Sequence, residues 1–281
     1  MSEEPRGSEL YRRAEWALHR RATLACAAAT HAGVPGHFRT SEYGGLSVVA
    51  ATDPSLAFLA AISGVTPGNV QAAIDLAGSA DWNGVAPAIL AGNPESESTL
   101  RAAGLTRVAD RVLAVHILRD ISTVGPIDEV TGDADKGTFL NVLLAGYEVH
   151  GVVAAFIRAE HGIAAMRRFL LYARDDAIND RRADLAAGRV PIAAAAMTVH
   201  GDVAVLGGAA TLPAYRGQGA QSRLVRHRLR LAADAGCALA VATAGPDTVS
   251  AANLRKAGFR VYRRSAWRVN ISAGRADPRR D

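Results

Sequence analysis

The stretch TLPAYRGQGAQSRLVRHRL, residues 211–229, joins an apolar run to a helical pattern through a loop that contains arginine and glycine but no acid. Arg216 precedes the closely spaced Gly217 and Gly219, and apolar residues then recur at helical spacing. A loop that turns directly into a helix exposes unpaired backbone N–H groups and the positive end of the helix dipole. The stretch therefore predicts a helix N-terminus that holds an anionic group.

The composition of the 281-residue chain is that of a folded globular protein with one large domain or two small ones, since 49% of its residues are apolar. No apolar run is long enough for a membrane span, and the charged N-terminal stretch lacks the apolar core of a signal peptide. Cys26 and Cys237 have no metal-ligand spacing and are typical of buried thiols. We therefore expect a cytoplasmic protein without a metal site.

The net charge of +5 comes mostly from arginine, since Lys136 and Lys256 are the only lysines. Positive charge is concentrated from Arg216 onward, which suits a small polyanion as well as it suits nucleic acid. The basic residues lack interleaved aromatic residues suited to base stacking. Nucleic-acid binding is therefore the least favoured interpretation.

Two segments of the chain, residues 99–117 and 253–271, align without a gap and share residues such as Leu100/Leu254 and Gly104/Gly258. A glycine, a short apolar run and a proline precede each segment. This order predicts a duplicated unit of strand, short helix, glycine stop and strand, with glycine in the left-handed position after each helix. We predict an α/β fold with a mixed sheet and flanking helices, in two tandem halves: residues 1–120, a linker at 121–135, and residues 136–281.

The second half shows further local patterns. HGVVAAFIRAEHGIAAMRRFLLYA predicts a helix followed by a strand, and HGD at 200–202 predicts a hairpin turn between two apolar strands. Val225, Leu229 and Ala232 predict the inward face of the helix after the loop, which ends at Gly236. The polar stretch 174–188 predicts an exposed insertion, or alternatively a loop on the substrate side.

This order of elements, with TLPAYRGQGAQ before the helix and SAANLRKAGF after the next strand, resembles the core of the GNAT superfamily of acetyl-CoA-dependent N-acyltransferases. Arg216 and Gly219 meet the family signature, whereas Gln221 stands where a glycine or alanine is usual. The resemblance implies acetyl-CoA as co-substrate, with the first half a degenerate copy. The implied cofactor-binding residues are Ala209, Ala210 and Thr211 on the strand, Arg216, Gly217, Gln218, Gly219, Ala220, Gln221 and Ser222 in the loop and helix start, and Asn253.

Some of these residues also have a structural interpretation. Asn253 has two equally favoured interpretations: a contact to the CoA arm, or a helix cap or turn residue. Arg223, Arg226 and Arg230 recur on one helical face, where they would meet the adenosine phosphate or form a solvated surface.

Acyl transfer to an amine requires a neutral amine, a stabilised oxyanion and a thiolate that can leave. The tyrosine that many family members use as the acid is replaced here by Leu254, and the strand before the loop lacks the usual carboxylate base. The candidates are Ser250, Tyr262, Tyr215 and His200, of which we select Ser250 and Tyr262. Each has a structural alternative, as a cap, a strand residue, a packing aromatic or a turn residue, and water could serve as the base instead.

The sequence therefore predicts an N-acetyltransferase that acts on a small-molecule amine, hydroxylamine or hydrazine by direct transfer in a ternary complex. A CoA-binding sensor or scaffold without catalysis and a protein-lysine acyltransferase remain the alternatives. The oligomeric state is not predicted.

Overall fold

The computed structural model describes residues 4–79, 82, 85–119, 121, 127–173 and 189–269. The first half contains α1 (Glu4–His31), β1 (Phe38–Tyr43), β2 (Leu46–Ala51), β3 (Ala61–Val65), α2 (Val70–Gly78), β4 (Ala88–Ala91), α3 (Pro94–Ala102), β5 (Thr106–Arg107) and β6 (Arg111–Ile117). The second half contains β7 (Asp128–Glu129), α4 (Asp133–Tyr147), α5 (Gly151–Gly162), β8 (Arg167–Tyr172), β9 (Pro191–His200), β10 (Val203–Thr211), α6 (Ala220–Asp234), β11 (Leu239–Ala244), α7 (Val249–Lys256) and β12 (Arg260–Arg268).

The strands form a continuous mixed sheet in the order β1-β2-β3-β4-β12-β6-β11-β10-β9-β8-β7, with β5 beside β12. This confirms the predicted α/β class. The last strand of each half pairs with strands of the other half: β6 pairs with β11, and β12 pairs with β4. The two strands also pair with each other, so the halves share one sheet.

Helices cover both faces of the sheet around β6, β11 and β10. Alternation along β6 shows this directly, because Val112 and Ala114 contact the core under α6 and α7, whereas Leu113 and Val115 contact α1 on the other face. α4 and α5 pack on the same face as α1, farther along the sheet over β8 and β9. The crossover α6 connects β10 to the parallel strand β11.

The predicted outline of the repeat is present in both halves. β3 and β4 form a parallel pair followed by α3, as β10 and β11 do before α7. Gly104 and Gly258 follow α3 and α7 with positive φ angles of 77° and 88°. The hairpin at 200–202 and the inward face of α6 are also as predicted.

Part of the stretch predicted as a linker, residues 121–135, forms secondary structure. β7 pairs with β8 there, and α4 begins at Asp133. Asp133 and Asp135 lie in the first turn of α4, where acidic residues favour a helix start. The same residues are also common in turns, which is why the sequence predicted a linker here. The predicted insertion at 174–188 lies outside the described residues. No helix in the described part of the chain is long and apolar enough to cross a membrane.

Candidate functional site: a loop cavity and an inner cavity

The strands β10 and β11 separate at the centre of the second half. They pair only from Val203 to Val205 on β10, and beyond this point the two strands diverge. A bulge between Gly207 and Ala210 shifts the pairing of β10 with β9, and Gly208 there has a φ of +60°. Such a bulge re-aims the strand, so it widens the opening between β10 and β11.

The loop before α6 has the backbone geometry that the sequence predicts. Gly217 and Gly219 have φ angles of +81° and +78°, and a Cβ atom on either would meet no other atom within 4 Å. α6 begins at Ala220 directly after Gly219. Among the described residues, the amide N–H groups of residues 217–222 have no protein acceptor. They form a row of free donors at the positive end of a helix.

Two side chains connect this loop to its surroundings. The Gln221 amide donates to Thr211 Oγ1 over 3.0 Å, so the side chain that departs from the family signature is directed back toward the end of β10. The Arg216 guanidinium donates to the Gly146 carbonyl over 3.0 Å and pairs with Glu148 over 3.2 Å. Arg216 therefore braces the loop against the C-terminal end of α4 as well as bringing positive charge to it.

A cavity of about 860 Å³, here called the loop cavity, lies between β10, α6 and α7. The predicted residues that line it are Ala209, Ala210, Thr211, Arg216, Gly217, Gly219, Ala220, Gln221, Ser222, Ser250 and Asn253. Gln218 is exposed and does not line it. The structure thus brings most of the residues implied by the resemblance to one cavity.

The two selected catalytic candidates, Ser250 and Tyr262, do not lie in the same cavity. Ser250 is exposed in the first turn of α7, where Thr248 and not Ser250 is the cap. Tyr262 lies outside the loop cavity, with its ring 5.7 Å from that of Tyr11. Tyr262 pairs with Leu113 on β6 of the first half, away from the loop cavity, and the sequence pattern does not specify this pairing.

The remaining candidates have structural contacts. Tyr215 lines the loop cavity but also packs against the core under α6. His200 contacts Thr198 Oγ1 over 3.0 Å and lines neither this cavity nor the next one. Arg230 pairs with Asp234 on its own helix, which favours the surface interpretation for that residue.

A second cavity of about 590 Å³, here called the inner cavity, lies between the two halves. α1 and α5 border it, together with β3 and the diverging ends of β10 and β11. The residues shared by the loop cavity and the inner cavity are Tyr147, Leu206, Gly207, Gly208 and Thr243. The two cavities therefore meet at the bulge of β10.

Tyr147, the last residue of α4, lies at this junction. Its hydroxyl accepts a hydrogen bond of 2.8 Å from the Ala209 amide, and its own proton has no acceptor among the described residues. Desolvation raises the pKa of Tyr147, so the phenol stays protonated at neutral pH. The residue pattern around Tyr147 gives no sign of this position, because only the fold brings the end of α4 to the bulge.

A buried ion pair borders the inner cavity on the other side of the bulge. Arg21 Nη2 lies 2.9 Å from Glu160 Oε1, and its guanidinium lies over Gly207, where a Cβ would approach Arg21 Cζ within 2.8 Å. The charge of Arg21 lowers the pKa of Glu160 despite burial, so this carboxylate is ionised. Gly207 thus allows a charged pair to lie against the strand.

His161 occupies the corresponding position over Gly208. Its Nδ1 donates to the Ile157 carbonyl over 2.8 Å, so Nε2 carries the lone pair in the neutral ring. Nε2 has no hydrogen-bond partner in the described part of the chain, and a Cβ on Gly208 would come within 1.9 Å of it. Gly207 and Gly208 therefore form the bulge and also leave room for Arg21 and His161 to lie against the strand.

Burial of histidine predicts a pH dependence of stability. Desolvation lowers the pKa of five histidines: His19, His116, His161, His200 and His227. As pH falls through the ordinary value of 6.5, the unfolded chain binds protons that the folded chain does not, so stability must fall. We expect the Tm to decrease steadily from pH 6.5 to about pH 5.5. A Tm that is constant or rises in that interval, measured by calorimetry, would contradict this account.

The first half has a cavity of about 940 Å³ at the place equivalent to the loop cavity. There the Gly64 amide donates to the Glu15 carboxylate over 2.5 Å, and Asn69 accepts from the Thr66 amide over 2.8 Å. Asn69 also donates to the Gly64 carbonyl over 3.1 Å. In the first half, Glu15 and Asn69 thus bind backbone groups of residues 64–66, at the end of β3. The end of β10 has the equivalent position in the second half and borders the loop cavity.

Comparison with known proteins agrees with this geometry. Residues 132–259 match the sequence profile described as Acetyltransferase (GNAT) family. A GCN5-related N-acetyltransferase from Kribbella flavida is similar in structure, with a TM-score of 0.53 and 18% identity over 89% of this chain and 93% of its own. A functionally unknown conserved protein from Staphylococcus epidermidis ATCC 12228 has a TM-score of 0.51 and 12% identity, covering 86% and 98% of the two chains. No curated protein sequence gives a significant match.

The two structural neighbours share the fold across both halves, and the family profile covers the helices and strands that enclose the loop cavity. Residues 132–259 therefore form a domain that matches the acetyltransferase (GNAT) family, whereas the family profile does not cover the first half of the chain.

Proposed function

We propose that the protein transfers an acetyl group from acetyl-CoA to a small-molecule amine, with the cofactor in the loop cavity and the amine in the inner cavity. The observation that carries the proposal is the junction of the two cavities at the β10 bulge. Acetyl-CoA entering from one side and an amine from the other would meet there. Direct transfer in a ternary complex requires this arrangement of two reactants.

The free amides of residues 217–222 suit the pyrophosphate of CoA, which binds well at a helix N-terminus. The diverging part of β10, from Ala209 to Thr211, would lie beside the pantetheine arm. Asn253 and Ser250 on α7 border the same cavity and would contact the arm from the opposite side.

In the proposed reaction the amine nitrogen attacks the thioester carbonyl carbon, and the carbon–sulfur bond then breaks. Tyr147 would donate its free proton to the departing thiolate, and its raised pKa keeps that proton in place until then. Glu160, an ionised carboxylate in the inner cavity, would orient the amine and receive the proton that it loses, directly or through water. Tyr262 is not part of this proposal, because it lies outside both cavities.

The first half would complete the fold and wall the inner cavity without binding CoA. Its Phe58, Leu59, Ala61 and Ser63 line the inner cavity. In its own cavity Glu15 holds the Gly64 amide, which places a carboxylate where a bound cofactor would need a hydrogen-bond donor.

Two measurements test the proposed function. Calorimetry with acetyl-CoA should give one binding site per chain, and a thiol-release assay with a panel of amines should give turnover. Tight binding with no turnover on any amine would favour the sensor, and turnover on peptide lysines in preference to small amines would favour the protein acyltransferase. Absence of acetyl-CoA binding at millimolar concentration would reject the proposal.

A further inference from the structure

The inner cavity contains an arginine whose charge is not balanced. Arg111, the first residue of β6, lines this cavity and donates to the Ala60 carbonyl over 3.3 Å. Within the described ranges no carboxylate forms an ion pair with it. Burial, with repulsion from Arg264 and Arg268, lowers the pKa of Arg111 to about 10. The side chain is still a cation at neutral pH, and among the described residues its bond to the Ala60 carbonyl is the one hydrogen bond that it donates.

A second arginine lies beside it. Arg264 is the direct β-pairing partner of Arg111, lines the same cavity and is only 4% exposed. One of its terminal nitrogens pairs with Glu15 over 3.0 Å, whereas its Nε has no partner in the part of the chain that is described. Since Glu15 also accepts from the Gly64 amide, this single carboxylate serves several donors.

The acidic residues that line the inner cavity are paired with arginines other than Arg111. Glu160 is paired with Arg21, and Asp110 is paired with Arg107 over 2.9 Å and with Arg263 over 3.4 Å. Arg111 is thus left as a partly buried cation facing an open space. A buried charge without a partner is costly, so an anionic group entering the cavity would be bound strongly.

We infer that the acceptor is an amine that also carries a carboxylate, an amino acid or a close analogue, whose carboxylate binds Arg111 and Arg264. This inference rests on the proposed function and specifies its substrate class. Arg111 precedes Val112, which pairs with Ala244 at the end of β11 that borders the cavity. The carboxylate would therefore bind at the strand end, and the amine would point toward the bulge and Glu160. A guanidinium matches a carboxylate in a two-point contact, which gives specificity as well as affinity.

The test compares substrates that differ only in the carboxylate: amino acids, their carboxamides and their decarboxylated amines, in a thiol-release assay. Loss of a charge-assisted hydrogen bond predicts that Arg111→Gln raises the KM for the carboxylate substrate by about 10- to 100-fold. The KM for the carboxamide should change by less than about twofold, as should both KM values in the exposed control Arg20→Gln. Arg111→Lys, which retains the charge, should recover part of the loss.

A binding measurement separates this inference from the proposed function. CoA-loaded protein is titrated with N-acetyl amino acids and with their carboxamides, which needs no turnover. Preference for the carboxylate form that disappears in Arg111→Gln supports the inference even if no amine is acetylated. Equal binding of both forms, or equal KM values for amino acids and carboxamides in the wild type, would overturn it while leaving acetyl transfer intact. The wild-type comparison decides the matter should Arg111→Gln fail to fold.

Discussion

Gly219→Asp is expected to weaken acetyl-CoA binding by about 100-fold or more while the protein stays folded. The new carboxylate would lie at the start of α6 and would accept hydrogen bonds from the amides that the pyrophosphate needs. It would also repel the phosphates directly. Aspartate is a favoured N-cap residue and tolerates the left-handed conformation better than most residues, so the helix should still form.

The matched control for this substitution is Gly219→Asn, which has the same shape without the charge. Calorimetric titration of both variants with acetyl-CoA should show a much smaller loss for the asparagine. Equal losses would mean that size and backbone strain weaken binding, and the anion-binding role of the loop would then lack support. Circular dichroism checks that both variants retain their helices.

Tyr147→Phe is expected to lower kcat by about 100-fold or more, the usual contribution of a general acid, with little change in acetyl-CoA affinity. The substitution removes only the hydroxyl that accepts from the Ala209 amide and holds the free proton at the junction of the cavities. Because the pKa of Tyr147 is raised, its ionisation should not limit wild-type activity across the neutral pH range. A pH–rate profile of wild type and variant measures both effects.

Tyr262→Phe provides the control, since Tyr262 is a phenol outside both cavities. Its kcat should stay within about twofold of the wild type, as expected for a substitution outside the reacting groups. A large loss in Tyr262→Phe with full activity in Tyr147→Phe would reverse the assignment of the acid.

The loop was predictable from the sequence because its geometry is local. Two glycines at positive φ and a helix start within a few residues depend little on distant contacts, and the order of strands and helices follows from apolar periodicity. The repeat likewise indicated equivalent positions such as Gly104 and Gly258. These features made the loop cavity a reasonable expectation.

The groups around the inner cavity were not predictable in the same way. Tyr147, Glu160 and Arg111 lie on three different elements, and only the strand exchange and the bulge bring them to one cavity. The exchange depends on which neighbouring strands β6 and β12 pair with, and the residue pattern of a strand does not specify its neighbour. Adjacent glycines at 207 and 208 were the available signal, since a glycine in a strand marks close approach by another group.

The central claim is that the amides of residues 217–222 bind the phosphates of CoA. Backbone NMR during a titration with acetyl-CoA tests it most directly, because each amide reports on its own contacts. The account predicts the largest shifts at these amides, with smaller shifts along Ala209 to Thr211 and at Asn253. Shifts centred instead on Gly64 and its neighbours in the first half, or no shift at residues 217–222 at saturating acetyl-CoA, would contradict it.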